Sequence, residues 1–265
     1  MQQAQDFLDE SETIYALIES LTDDEFGQQT AFKGWTINNV VGHLHMWNWA
    51  ADLALQDGDA FKRFLAELSS NSKDGLTAFE TQWLDGLAGQ ALASAWRSFY
   101  LKMSERFAAA DPSMRVVWAG PDMSVRSSVT ARLMETWAHA QEIYDLLGLV
   151  RQNTDRIRNI VVLGVNTYGW TFRNRGEDPP IPTPHLRLTA PSGEVWTYNE
   201  PSELELIDGD AEAFCQVVTQ VRNIADTELR VNGPNAIEWM SKAQCFAGAP
   251  QSPPAPGTRV TRGAG

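Results

Sequence analysis

Apolar residues recur at helical spacing from the N-terminus to about residue 147 and then change period. This break constrains the fold more than any other feature of the chain. Over residues 4–21, Phe7, Leu8, Ile14, Tyr15, Leu17 and Ile18 fall close to a 3.6-residue repeat. Residues 22–35 read as a loop, and Thr36 reads as the N-cap of a helix over 37–56. A short helix over 60–68 and a polar break over 69–75 follow. A long helical stretch covers 76–110, with an interruption around 86–89, and Asp111-Pro112 ends it. Residues 114–125 read as an irregular or extended connection. Ser127 or Ser128 can cap a last helix that runs to Leu147, where Gly148 supplies the stop. Long amphipathic helices with such connections predict an up-and-down four-helix bundle over residues 1–150.

Beyond that point the pattern is mixed. One more helix is predicted over 154–173, followed by residues 177–184 with four prolines. Residues 185–190 and 194–198 alternate as strands around Ser192-Gly193, which predicts a hairpin. Residues 202–207 alternate again, and helices over 210–222 and 235–245 flank a short strand at 228–231. Together these predict a small α+β domain over 151–248. Residues 249–265 hold four prolines and three glycines and predict a disordered tail.

Charge and motifs narrow the function. Lys and Arg total 21 against 34 Asp and Glu, a net charge of −13, which repels phosphate backbones and anionic lipid. The expected partners are therefore small molecules, with no nucleic acid and no membrane. The longest apolar runs, such as 160–165, are too short to span a bilayer. The polar, acidic start does not read as a secretory signal. Two cysteines, Cys215 and Cys245, make no disulfide framework, so a reducing, cytoplasmic setting is expected. Cys215 reads as an inert buried thiol. No P-loop, no GxGxxG after a strand and no GxSxG is present, which disfavours nucleotide cofactors and serine hydrolysis.

The four histidines, His43, His45, His139 and His185, make a short list of metal ligands. His43 and His45 point to nearly opposite sides of one helix. His43 shares its face with Val40, Met46, Trp47, Ala50 and Leu53 and turns into the bundle. His45 shares its face with Asn38, Asn48, Asp52 and Gln56 and turns to solvent or an edge. His185, at a strand start, reads as a surface residue. Glu135 and His139, at i and i+4, stack on one helical face. With His43 from a facing helix they give two histidines and a glutamate with a fourth position open, a catalytic rather than structural ligand set. Arg132 and Glu142, one turn away on either side, are candidate partners that orient those ligands. The same residues admit a plainer reading, in which a core histidine bonds a carbonyl and Arg132 pairs with Glu135.

Gly34-Trp35-Thr36 followed by Val40-Val41-Gly42-His43-Leu44 resembles the second helix of DinB-like bundles. More specifically it resembles the N-terminal domain of mycothiol-dependent maleylpyruvate isomerases. The segment from Arg132 through Glu135 and His139 to Glu142 resembles the metal-binding helix of that family, and Arg222 to Thr227, Val231 to Gly233 and Phe246 to Gly248 resemble its small second domain. The resemblance implies His43, Glu135 and His139 as ligands of a divalent metal, zinc before others. It also implies a low-molecular-weight thiol as cosubstrate, activated as a metal-bound thiolate that attacks an electrophilic carbon. Release of the adduct would make an S-transferase, and rotation followed by loss of the thiol a cis–trans isomerase. The segment match singles out Arg222 as the residue to hold a substrate carboxylate. The alternatives are a non-catalytic metal-binding protein whose small domain serves homodimerisation or protein contact, or a metal-assisted hydrolase. The run Trp47-Asn48-Trp49 lies outside the resemblance and reads as either a pocket lining or core.

Overall fold

The computed structural model describes residues 1–260 and divides into two compact units, one over Met1–Leu146 and one from Leu147 onward. The first unit holds α1 (Gln2–Ile18), α2 (Asp23–Phe26), α3 (Ile37–Gln56), α4 (Gly58–Asn71), α5 (Leu76–Leu84) and α6 (Gly89–Ala109). A two-stranded ribbon of β1 (Arg115–Val116) and β2 (Met123–Ser124) then leads into α7 (Val125–Leu147). Among the described residues no helix is long and apolar enough to cross a membrane.

Local chemistry sets where these helices begin. Thr36 starts α3 with a reciprocal cap: its hydroxyl accepts the Asn39 N–H at 3.2 Å, and Asn39 Oδ1 accepts the Thr36 N–H at 2.9 Å. That cap fixes the phase of the helix two turns before His43. Thr36→Ala should therefore cost about 1 kcal/mol of stability, read by thermal or urea unfolding. The expected interruption separates α5 from α6. There Gly89 adopts a left-handed backbone, φ 56°, and its N–H donates to Asn38 Oδ1 at 2.8 Å. The last helix begins three residues before Ser128. Ser124 takes the capping role, its hydroxyl accepting the Ser127 N–H at 3.1 Å. The loop over 22–35 contains α2, nucleated by its own capping box between Thr22 and Glu25.

Both α1 and α3 pack on α6. Phe7, Ile14, Val40, Leu44, Trp96, Tyr100, Met103 and Phe107 of these three helices are buried, as are Leu133 and Trp137 of α7. Each large apolar side chain so buried contributes about 1.5–3 kcal/mol. A second cluster surrounds Phe61, Phe64 and Phe79, and Trp47, Trp49, Trp83 and Trp118 pack against it. The Trp-rich run after His43 thus belongs to packed aromatic structure.

The polar face of α3 departs from expectation. Asn48 and Asp52, read as sharing an outward face with His45, are buried. Asn48 accepts from Arg132 Nε at 3.0 Å, and Asp52 takes a two-bond clamp from Arg106 at 2.7 Å each. The helix is in effect buried on both sides, one apolar and one sealed by arginines, and a sequence pattern cannot register the second kind.

The second unit contains α8 (Arg158–Asn166), α9 (Tyr168–Arg173), β3 (His185–Thr189), β4 (Val195–Tyr198), β5 (Leu206–Asp210), α10 (Ala211–Val218), β6 (Arg230–Asn232) and α11 (Pro234–Lys242). The single helix expected over 154–173 is broken at Thr167, whose hydroxyl bonds the Leu163 and Gly164 carbonyls at 2.8 and 3.0 Å. The hairpin β3–β4 is antiparallel, β5 runs parallel to β3, and β6 closes the order β4-β3-β5-β6. Strand β5 starts later than the alternation at 202–207 suggested, because Ser202 Oγ accepts the Leu204 and Glu205 N–H groups and turns the chain there. Glu205 in turn caps α11, accepting from Asn235 and Ala236 N–H.

Two further expectations are corrected here. His185 is buried: it pairs with Leu206 of β5 on one side, and its Nδ1 lies 3.0 Å from the Tyr198 carbonyl of β4 on the other. Residues 249–260, expected to be disordered, are strapped down. Arg175 donates to the Gln251 carbonyl at 2.6 Å, Asn223 to the Pro254 carbonyl at 2.8 Å, and the Gly257 N–H to Asp226 at 2.9 Å. Proline and glycine content marks a segment without regular structure, which side chains elsewhere can still hold in place. The remainder of that tail, 261–265, lies outside the described residues. Cys215 is fully buried, and burial pushes its thiol well above the ordinary range, as expected of an inert thiol.

Candidate metal centre

Two helices and a loop converge on one point of the first unit. From α3, His43 Nε2 lies 3.8 Å from Glu135 Oε2, and from α7, His139 Nε2 lies 3.4 Å from that same oxygen. The three donor atoms all fall within 4.8 Å of one another. Tetrahedral donors about 2 Å from zinc stand about 3.3 Å apart, so small side-chain adjustments would let this set close on an ion. The donor set, two imidazoles and a carboxylate, suits zinc. The Glu135 side chain retains 23% exposure, which leaves one side of the cluster open.

Aromatic rings pack around the imidazoles. Trp35 stacks on His139 with centroids 5.5 Å apart and planes 13° from parallel, and it lies 5.2 Å from His43. Phe32 meets His139 edge-on at 5.2 Å. These two residues come from the segment between α2 and α3, where a bridge between Gln29 and Thr36 folds the chain back. Neither was singled out by sequence reasoning as lining the site. Trp35 entered only as part of the Gly-Trp-Thr phrase.

A second carboxylate also went unrecognised. Glu80 of α5 is buried, and its Oε1 lies 2.7 Å from His43 Nδ1. The same oxygen accepts the Trp47 indole N–H at 3.3 Å. Its only sequence signal is an acidic residue flanked by Phe79 on a helix that otherwise buries apolar groups, which is too weak to act on.

Burial and close acidic neighbours shift the titration of this cluster in opposite directions. Burial alone would depress the His43 imidazole, but the charges of Glu80 and Glu135 outweigh it and raise the group to about 9. Burial would raise Glu135, yet the His139 and His43 imidazoles, 3.4 and 3.8 Å from its Oε2, hold its carboxyl well below the usual range. His139 is lowered, first by burial, with the charge of His43 adding to the effect. Two acidic side chains, Glu80 and Glu135, thus flank the His43 ring from its two nitrogens.

Arg132 does not pair with Glu135 through a direct bond, as the plainer reading required. Its Nε goes to Asn48, and burial lowers its guanidinium to about 10. Glu142 is buried further along α7. His45 stands apart from the cluster. It packs edge-on against Trp83 at 5.6 Å and Phe99 at 5.7 Å, and burial lowers it to about 4. Its side of α3 is therefore a protein-covered edge. Arg222 lies in the second unit, beyond the end of α10 rather than within a helix, and is buried, with Nη1 donating to the Val221 carbonyl at 3.0 Å.

Residues 7–144 match the family model described as the mycothiol maleylpyruvate isomerase N-terminal domain. The chain belongs to that family. All three converging donors and Glu80 lie within the matched segment. Two uncharacterized proteins of Mycobacterium tuberculosis, from strains CDC 1551 / Oshkosh and ATCC 25618 / H37Rv, are each 33% identical over 241 residues, covering 91% of this chain and 93% of theirs. Crystal structures of the mycothiol-dependent maleylpyruvate isomerase and of a mutant of it share the fold at a TM-score of 0.56 and 14% identity, over 82% of this chain and 87% of theirs. The expected architecture, a DinB-like helical bundle followed by a small α+β part, is the architecture of this family member.

Proposed function

We propose that this protein is a divalent-metal enzyme acting with a low-molecular-weight thiol on a small electrophilic substrate, as an isomerase or S-transferase. One observation carries the reading: His43, Glu135 and His139 bring their donor atoms within 4.8 Å of one another in a member of this family. Zinc is the proposed ion, held by those three residues. When bound, it would supply a Lewis acid that lowers the pKa of a ligated thiol at neutral pH. Mycothiol is the first thiol to test, because the isomerase that shares the fold depends on it.

The protein's own groups prepare that site. Glu135 is held ionised by its two histidine neighbours, ready to ligate without first losing a proton. Trp35 and Phe32 pack on the His139 ring and limit how it can turn. The exposed side of Glu135 is the side from which thiol and substrate would enter. Arg222 is the proposed holder of a substrate carboxylate.

A panel of thiols against an electrophilic substrate such as maleylpyruvate, with and without chelator, tests the reading. Thiol-dependent turnover abolished by chelator is the expected result. Bound metal without any turnover would replace the reading with a non-catalytic one, and chelator-sensitive hydrolysis without thiol would replace it with a hydrolase. In the same assay Arg222→Lys should lower kcat/KM for a carboxylate substrate by about 2–3 kcal/mol, roughly 30- to 150-fold, since a point charge cannot replace a two-bond fork. Metal content should stay unchanged. Equal losses on charged and uncharged electrophiles would assign Arg222 to the fold instead.

A further inference from the structure

We infer that Glu80 is the positioning residue of the metal centre: through a buried hydrogen bond to His43 it fixes which imidazole nitrogen faces the ion. The assignment rests on the proposed metal centre and adds a residue to it. Glu80 comes from α5, which supplies none of the three converging donors.

The geometry is specific. His43 Nδ1 stands 2.7 Å from Glu80 Oε1, while its Nε2 faces Glu135 Oε2 at 3.8 Å. Glu80 Oε1 at this distance offers Nδ1 an acceptor and so favours the tautomer with the proton on Nδ1. Nε2 is then the nitrogen turned toward Glu135 and His139, where an ion would sit. Both partners are buried, His43 to 9% and Glu80 to 3% exposure, so water cannot substitute for this contact. Trp47, one turn beyond His43 on α3, donates its indole N–H to the same Glu80 oxygen. The carboxylate is therefore held by two donors from one face of α3, and its orientation is not free to drift. Glu80 Oε2 has no hydrogen-bond partner of its own. A buried carboxylate in that condition is costly unless a nearby positive charge compensates it. A dication on the far side of the His43 ring, acting through the polarised imidazole, would supply that compensation. Carboxylates placed behind a metal-bound histidine in this way raise its basicity and lock its ring, and losing one commonly weakens metal binding 10- to 100-fold.

Two substitutions separate charge from orientation. Glu80→Gln keeps an acceptor for Nδ1–H but removes the charge, whereas Glu80→Ala removes both. Zinc dissociation constants would be measured by competition with a chromophoric chelator, and the visible spectrum of the cobalt-substituted protein recorded beside them. Glu80→Gln should bind zinc about 10-fold more weakly with a near-native cobalt spectrum. Glu80→Ala should bind about 100-fold more weakly with an altered one. Unfolding curves recorded in chelator report on the fold separately, and Glu80→Gln should match the unsubstituted protein there. Unchanged zinc affinity and cobalt spectra in both variants would overturn the assignment. Absence of zinc binding by the unsubstituted protein would overturn the metal centre itself, a distinct result read in the first measurement.

Discussion

Alanine at His43, Glu135 or His139 should each sharply weaken zinc binding at the proposed centre, while alanine at His45 should leave it intact. A protein zinc site of four ligands is worth about 10–16 kcal/mol, so one ligand contributes about 3–4 kcal/mol, or 10²- to 10³-fold in affinity. Elemental analysis of the purified variants after dialysis reads the loss directly. The contrast between the two neighbouring histidines is the informative part. His43 and His45 share a helix and differ by two positions, yet one faces Glu135 and the other packs between Trp83 and Phe99. Metal lost from His45→Ala and retained by His43→Ala would mean that the phase of α3 is wrong and the centre lies elsewhere.

Arg106→Ala should destabilise the protein by about 3 kcal/mol without touching its metal content. Arg106 Nε and Nη2 each donate at 2.7 Å to the two oxygens of Asp52, whose side chain is 6% exposed. Removing the arginine leaves a buried carboxylate with, among the described residues, Gln56 alone to bond it, and such orphaned charges cost about 3–5 kcal/mol. The reverse substitution, Asp52→Ala, should cost clearly less. Arg106 keeps 35% exposure and can turn its guanidinium into water. Urea unfolding of the two variants measures the asymmetry. Equal and small losses from both would show that the pair contributes nothing beyond an exposed ion pair.

Much of this protein is legible in its sequence because the relevant forces are local. The cap at Thr36, the break before Gly89 and the hairpin around Ser192-Gly193 depend on residues within a few positions of one another. The i, i+4 stacking of Glu135 and His139 is equally local, and His43 joins them because an apolar stripe turns it inward. What the sequence hid is non-local and polar. Glu80 meets His43 from 37 positions away, Arg106 seals Asp52 from 54, and Arg132 reaches Asn48 across 84. A charged residue whose partner is distant in sequence reads as solvated, because hydropathy records its cost of burial and not its compensation. For that reason the outward reading of Asn48 and Asp52 failed, and so did the disorder expected of residues 249–260, which are held by side chains from earlier in the chain. Sequence alone determined the main helices of the first unit, the β3–β4 hairpin and the inward phase of His43, through periodicity and short-range hydrogen bonding. Tertiary structure alone decided which buried charges would meet, because only packing brings a carboxylate from α5 and arginines from α6 and α7 against the two sides of α3.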